Sequence, residues 1–293
     1  MKALMRMLIA LLLVLPAALP AMAEDLADPL GDTGWPGTVI RNYDGDTLQY
    51  AIREFEYGDA LCYLTHIRLA DAGRQIVKAT ADWEENIMLP ADMADRLDET
   101  PVLAVNGSGY VSPTFPWIPE NYPGTNEDYY YTPLGSLTVT NGTVFRNLAG
   151  VPYYGLTLQA DGLHLHIGED NESVLAQAPT QTWSFYVQCP MISDHESILD
   201  EEWTFAQARA IRTIIARMED GSYVLLTVTN LSGRGLSLIQ CVMLLRGYVD
   251  PLWAYDLDGG PSSALLVRNE DTGELETLFG GTSKDADIMA FIE

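Results

Sequence analysis

One turn in the C-terminal third of the chain joins a carboxylate to small and hydroxyl residues. Its polar and small residues are Asp258, Gly259, Gly260, Pro261, Ser262 and Ser263. Apolar residues 252–254 precede the turn and residues 264–267 follow it, which predicts a strand, a tight turn and a second strand. Paired glycines allow unusual backbone angles and let a ligand approach closely. An Asp-Gly-Gly turn is often a surface hairpin, but the apolar flanks favour a carboxylate held at the mouth of a buried strand, where it can serve as nucleophile or base.

Two more predicted strands carry polar side chains at one end. The apolar strand 102–105 runs into Asn106, Gly107 and Ser108. Residues 211–228 read as a hairpin around Asp-Gly, with Arg212 and Thr213 near the start of an otherwise apolar strand. Arginine binds phosphate oxygens through two parallel hydrogen bonds, which lysine does less well. We therefore expect Asn106, Arg212 and Asp258 to converge on one pocket.

These segments resemble, in the same order, the signature segments of the phosphodiester glycosidase family. Residues 104–110 are similar to A-I-N-G-G-Y-F, and residues 212–216 to R-T-A-I-G ahead of D-G. Residues 235–240 resemble the start of the helix that precedes the family's L-D-G-G-G-S-S turn, and residues 257–263 resemble the turn itself. The chain departs from the family pattern at four positions. Ser108, Ala216 and Pro261 replace glycines, and Gln240 replaces a common glutamate.

The resemblance implies a hydrolase that cleaves a sugar-1-phosphodiester at the glycosidic bond, in envelope or extracellular glycan metabolism. The sequence predicts no cofactor and no metal-ligating residues. Asp258 would be the nucleophile or the base for water, Arg212 would bind the phosphate, and Asn106 would orient the sugar or the water. The implied substrate-binding residues are Gly107, Ser108, Thr213, Gly259, Gly260, Ser262 and Ser263. Because Ser108 and Pro261 depart from the pattern, an inactive relative that binds a glycan or polysaccharide stays an alternative.

A long irregular segment, residues 112–133, is rich in both aromatic residues and proline. Loops of this length are usually functional or disordered, and the aromatic content argues against disorder. One interpretation is a lid whose rings, Trp117, Tyr122 and Tyr130, contact a sugar. The other is a loop that packs its own rings over the core.

The N-terminus and the charge restrict location and partners. Residues 1–23 have a basic start, a short apolar core and an Ala-Met-Ala cleavage site, which predicts a cleaved export signal and a secreted or periplasmic protein. No later run is long enough for a transmembrane anchor. The formal net charge of −25 argues against nucleic acid or an anionic membrane as partner, so a site for a phosphodiester must be locally basic.

Two further patterns favour ordinary structural roles. Residues 43–47, Tyr-Asp-Gly-Asp-Thr, are similar to a segment of calcium-dependent nucleases, but a turn between strands is the preferred interpretation. The cysteines, Cys62, Cys189 and Cys241, lack metal-ligand spacing. One disulfide plus a free thiol and three free buried thiols are both open, and the second is preferred.

Near-regular strands without strand–helix alternation predict an α+β fold. The expected fold is a single domain, residues 24–293, with a large mixed, mostly antiparallel sheet and few helices. Helices are predicted over residues 83–98, divided or kinked at Pro90, and over residues 237–245, with Ser237 or Ser232 as N-cap.

Overall fold

The computed structural model describes residues 26–31, 33–83, 86–110, 131–185, 189–230 and 234–293. The predicted export signal and the rings of Trp117, Tyr122 and Tyr130 lie outside the described residues, so both remain predictions. Within the ranges given, none of the helices combines the length and apolar character needed to span a bilayer.

An eight-stranded antiparallel sheet forms one half of the molecule. In spatial order its strands are β1 (Thr38–Asp44), β2 (Leu48–Tyr57), β3 (Ala60–Leu69), β14 (Tyr223–Val228), β13 (Arg212–Arg217), β15 (Trp253–Asp256), β11 (Pro190–Ser193) and β12 (Glu196–Ser197). The predicted hairpin is confirmed, since β13 pairs with β14 from Arg212 opposite Val228 to Arg217 opposite Tyr223. Residues 45–47 form the turn between β1 and β2, in agreement with the preferred interpretation.

A five-stranded antiparallel sheet forms the other half. Its order is β17 (Leu275–Gly280), β16 (Ala264–Arg268), β5 (Leu103–Asn106), β18 (Asp287–Phe291) and β4 (Ile76–Thr80). Two smaller sheets comprise β10 (Gln181–Trp183), β8 (Tyr153–Gln159) and β9 (Gly162–Glu169), and β6 (Leu137–Thr140) with β7 (Thr143–Asn147). The helices are α1 (Ala72–Gln75), α2 (Pro90–Ala94), α3 (Asn171–Leu175), α4 (Thr204–Gln207) and α5 (Leu238–Tyr248).

The two large sheets share one core because their strands are apolar on both faces. Side chains alternate along a strand, so neighbours enter different layers. On β13, Ile215 joins the core shared by both sheets, whereas Ile214 packs in the cluster that contains α5. On β16, Leu265 joins the shared core, whereas Leu266 packs with Met93 of α2. The resulting order is helix, eight-stranded sheet, five-stranded sheet, helix.

The predicted fold class is confirmed: the molecule is an α+β, mostly antiparallel structure with short helices. The strands are divided among several sheets, and each pairing among the described residues is antiparallel. All three cysteines are free and buried, as preferred.

The two predicted helices differ in outcome. Helix α5 begins as expected, because Ser237 and Gln240 form a reciprocal capping box, with Gln240 N–H donating to Ser237 Oγ over 3.1 Å. The helix predicted over residues 83–98 was wrong in extent, since only α2 is an α-helix in the described part of that range. Met88 instead pairs with Asp285 through both backbone groups, and Pro90, which has no N–H to donate, begins the helix.

Candidate active site

The segment 257–263 is the crossover from the eight-stranded sheet to the five-stranded sheet. It leaves β15 and enters β16, with a single 3-10 turn over Gly260–Ser262. Its backbone is tied to both sheets. Leu257 N–H donates to Thr213 O over 2.9 Å, and Asp258 N–H donates to Gly107 O over 3.0 Å. The residues of the three motifs are therefore brought together at one point.

Asn106 is the link between these segments. Its amide oxygen accepts from Thr213 Oγ1 at 2.8 Å and from Ala264 N at 3.0 Å, and its amide nitrogen donates to Asp258 O at 2.7 Å. The side chain is fully buried and does not line the neighbouring cavity. We therefore propose a positioning role for Asn106 in place of the sugar or water contact expected from the sequence.

The glycines are needed for the backbone path. Gly260 has φ +62°, a conformation that favours glycine. A Cβ at residue 107 would overlap the Asp287 carboxylate, and one at residue 259 would lie 2.9 Å from Ile211 O. Their N–H groups already have partners: Gly107 donates to Asp287 O, Gly259 to Asp258 Oδ1 and Gly260 to Ile211 O. The N–H groups of these three implied substrate-binding residues are therefore occupied within the protein.

Asp258 lies at the wall of a cavity of about 260 Å³. The described residues that line it are Tyr110, Phe185, Phe205, Ala210, Arg212, Asp258, Gly259, Gly260, Pro261, Ser262 and Ser283. Three of these are aromatic, so the cavity offers ring surfaces beside one carboxylate and a few hydroxyl groups. Pockets of this composition suit a sugar, which has apolar faces and a polar rim.

Burial raises the pKa of Asp258 to about 7. The Ser262 hydroxyl and the Gly259 N–H lower that pKa in part, whereas the negative charge of Asp287 raises it. A buried carboxyl near neutrality can exchange protons at physiological pH, as a general base must.

Arg212 reaches the same cavity from the first residue of β13. Its Nη1 donates to Asp256 Oδ2 at 3.2 Å, and its Nη2 donates to the carbonyl oxygens of Phe205 at 3.3 Å and Ala208 at 2.9 Å. The guanidinium lies over the Phe205 ring, 4.6 Å from its centre. Since three donors are already used, Arg212 does not present the open two-bond fork to a phosphate that the sequence analysis expected. The Nε atom is buried without a hydrogen-bond partner in the described part of the chain.

Asp256 is the acidic partner of Arg212. Burial raises the pKa of Asp256 to about 7, although Arg212 lowers it and Asp258 raises it. Arg212 is the one Lys or Arg among the described residues that line the cavity.

The hydroxyl residues of the motifs fall into two groups. Ser262 lines the cavity and interacts with Asp258. Ser108 and Thr213 are buried and bonded inside the protein, Ser108 through N–H and Oγ to the Asp287 carboxylate at 2.6 and 2.9 Å. Ser263 is also buried and is not among the residues that line the cavity.

Sequence reasoning missed several residues around the site. Phe185 and Phe205 line the cavity from parts of the chain that carry no motif. Asp285 and Asp287, at the start of β18, lie behind the turn, and Asp287 forms a buried ion pair with Lys78, 2.8 Å between Nζ and Oδ2. The sequence signal that could have identified Asp285 and Asp287 is their position as acidic residues at the edge of an apolar strand. No grouping of three or more His, Cys, Asp or Glu suited to a metal ion occurs within the described ranges.

Comparison with known proteins identifies the family of the chain. The family model described as phosphodiester glycosidase matches residues 99–288, more than half of the chain. The chain belongs to the phosphodiester glycosidase family. The resemblance noted from the motifs is thereby confirmed, and the match includes Asn106, Arg212 and Asp258.

Solved structures share the fold. The catalytic domain of zebrafish N-acetylglucosamine-1-phosphodiester alpha-N-acetylglucosaminidase, in a form auto-inhibited by its pro-peptide, superimposes with a TM-score of 0.62 at 16% identity, over 85% of each chain. A hypothetical protein from Synechocystis gives a TM-score of 0.53 at 13% identity, over 85% of this chain and 62% of that one. At these identities the likeness shows the fold alone. A search of curated proteins finds no match.

Proposed function

We propose that the protein is an exported hydrolase that cleaves sugar-1-phosphodiesters at the bond between the anomeric carbon and the phosphate oxygen. One observation carries the proposal: Asp258, a carboxyl whose pKa is raised to about 7, borders a cavity walled by aromatic rings. Membership of the family supports the reaction class. Export rests on the pattern of residues 1–23.

The reaction follows from the groups at the cavity. The sugar places an apolar face on the rings of Tyr110, Phe185 or Phe205, which sets its anomeric carbon beside Asp258. As the bond from that carbon to oxygen breaks, its electron pair leaves with the phosphate monoester. Water supplies the new oxygen, and its proton passes to Asp258 if that residue acts as base. If Asp258 attacks first, water releases the sugar from the carboxylate in a second step.

The phosphate leaving group needs little help from an acid, because its ester oxygen carries negative charge readily. The positive charge of Arg212 at the cavity wall stabilises that charge across the site. Because the Nη donors of Arg212 are held by Asp256 and two carbonyl groups, its action is chiefly electrostatic. Charged donors fixed before the substrate arrives need no reorganisation during the reaction.

The decisive experiment uses a synthetic sugar-1-phosphodiester and Asp258→Asn, which is nearly isosteric. We expect turnover to fall by roughly a hundredfold or more, because loss of a general base or nucleophile has this effect. Asp98→Asn, a change at an exposed acid, is the matched control and should retain activity. Hydrolysis in water labelled with heavy oxygen should place the label in the sugar. Label in the phosphate would show P–O cleavage, and full activity in Asp258→Asn would overturn the mechanism.

A second candidate is a protein that binds a glycan without cleaving it. It is favoured by one contrast: the N–H groups of Gly107, Gly259 and Gly260 and the Nη donors of Arg212, which would assist a departing phosphate, are satisfied inside the protein, whereas aromatic rings suited to a sugar line the cavity. Calorimetric binding of an intact phosphodiester, with no sugar released over long incubation, would favour this candidate.

A further inference from the structure

Three acids lie buried around the turn, and they differ in what surrounds them. Asp256 is paired with Arg212. Asp287 is paired with the fully buried ammonium of Lys78 and accepts both the N–H and the hydroxyl of Ser108. Asp287 therefore has a cation and two hydrogen-bond donors of its own behind the site.

Asp285 has much weaker support. Its side chain is fully buried, and neither carboxyl oxygen has a hydrogen bond of standard geometry within the described part of the chain. No Lys, Arg or His among the described residues forms an ion pair with it. Its position is nonetheless fixed, because its backbone N–H and C=O pair with Met88 at 2.7 and 3.0 Å. A buried acid without a cation and without well-formed hydrogen bonds is costly to ionise.

Ser262 is the residue that affects both Asp285 and the catalytic carboxyl. Its hydroxyl lowers the pKa of Asp258 and that of Asp285, and it lines the cavity. Asp258 has the Gly259 N–H at 2.8 Å on Oδ1, a donor that favours its ionised form. Two adjacent carboxyls in a buried site do not both ionise near neutral pH. The better-supported one, Asp258, loses its proton first.

We propose that Asp285 is the proton-holding partner of Asp258: it stays protonated while Asp258 is ionised, and this singly protonated pair is the active form of the site. The effect on catalysis rests on the proposed function, whereas the protonation of Asp285 does not depend on it. Asp285 does not line the cavity, so it is a positioning residue that acts through Ser262 and Asp258.

The charged and titratable groups around Asp285 agree with this assignment. Burial raises its pKa well above the ordinary value, and the charges of Asp258 and Asp287 raise it further, whereas Ser262 lowers it. Tyr110 also faces the pair, and burial raises its pKa, so it adds no charge near neutral pH. The neighbouring Lys284 is exposed, and Met88 on the paired segment is uncharged.

The first test is the pH profile of turnover. A site that needs Asp258 ionised and Asp285 protonated has a bell-shaped profile, with an alkaline limb where Asp285 loses its proton. Asp285→Asn keeps a neutral, hydrogen-bonding group that has no proton to lose. We expect the alkaline limb to disappear while the acid limb remains, judged by the shape of the profile rather than its height. An unchanged alkaline limb would overturn the proposal.

The second test does not need activity. A buried acid with a raised pKa stabilises the fold at low pH, and this stability is lost as pH rises through the raised value. Replacement by Asn removes that loss. The melting temperature of Asp285→Asn minus that of wild type should therefore increase by at least about 3 °C from pH ~6 to pH ~9. Asp98→Asn, the exposed control, should show no such trend. A constant difference across this range would contradict the proposal.

The two tests separate the inference from the proposed function. If the stability difference grows with pH but no phosphodiester is cleaved by wild type, the proton-sharing pair stands and the hydrolase proposal falls. If wild type cleaves the phosphodiester but Asp285→Asn changes neither the alkaline limb nor the pH dependence of the melting temperature, the hydrolase proposal stands and the proton-sharing pair falls. Should the variant fail to fold, carbon-13 NMR titration of the wild-type aspartate carboxyls decides instead. The carboxyl signal assigned to Asp285 must stay protonated after Asp258 has titrated, and its ionisation at or below the pH of Asp258 would refute the assignment.

Discussion

Replacing Asn106 with alanine separates positioning from catalysis. The change leaves three buried groups without their partner: the Thr213 hydroxyl, the Ala264 N–H and the Asp258 carbonyl oxygen. Each unsatisfied buried group costs roughly 1–3 kcal/mol. Since neighbouring losses are not additive, the expected loss of unfolding free energy is about 3–6 kcal/mol. For a chain of this size, the melting temperature should fall by roughly 10 °C.

The assay is denaturant unfolding of wild type, Asn106→Ala and Thr213→Val, followed by turnover of the surviving fold. Thr213→Val is the matched control, because it removes only one donor to Asn106 and should cost about 1 kcal/mol. The double variant should be less destabilised than the sum of the single changes, since both remove the same hydrogen bond. Turnover of Asn106→Ala should also fall, because the carbonyl group of Asp258 is no longer held in place.

A particular combination of results would refute this reasoning. If Asn106→Ala unfolds within about 1 kcal/mol of wild type yet loses turnover as completely as Asp258→Asn, Asn106 contacts the substrate and is not mainly a positioning residue. Asn106→Asp adds a check. It keeps the acceptor for Thr213 and Ala264 but turns a carboxyl oxygen toward the Asp258 carbonyl, so it should be more stable at low pH than at high pH.

Two further predictions concern charge at the cavity. Arg212→Lys keeps a cation but cannot maintain the bonds to Asp256 and to both carbonyl groups, so turnover efficiency should fall roughly tenfold to a hundredfold, about 1–3 kcal/mol, in steady-state kinetics; unchanged efficiency would show that a positive charge alone is sufficient and that these bonds are not needed to hold it in place. Turnover and stability should also depend on pH in opposite directions. Because the pKa values of Asp256 and Asp258 are raised to about 7, turnover should rise as pH increases through this value, whereas unfolding free energy should decrease from about pH 4 to pH 7; parallel trends in the two measurements would contradict the assignment.

The sequence was informative where local chemistry fixes local structure. Ser237 and the amide of Gln240 specify the start of α5 without help from the rest of the fold, because a capping box is satisfied within four residues. Apolar runs on either side of Asp-Gly predicted the hairpin of β13 and β14 for a similar reason. By contrast, the segment before Pro90 follows its backbone pairing with Asp285, a contact between residues far apart in the chain.

The motifs also identified the residues that the tertiary structure brings together, but not what each of them contacts. A glycine next to Asn106 or Asp258 indicates a close approach, yet the approaching group, the Asp287 carboxylate or the Ile211 carbonyl, comes from another element. Whether the N–H groups of these glycines are free depends on the same approach. The sequence therefore predicted a turn suited to a ligand, but in the tertiary structure the N–H groups of that turn donate to acceptors within the protein.

What the sequence alone determined is the family, the strand-rich fold class and a carboxylate at the crossover between two strands, because these depend on residue types and their order. The protonation of that carboxylate was decided only by tertiary structure. Burial, the pairing of Asp287 with Lys78 and the weakly supported Asp285 all arise where β4, β18 and the 257–263 crossover meet. Free energies of ionisation depend on distance and desolvation, which residue order does not specify.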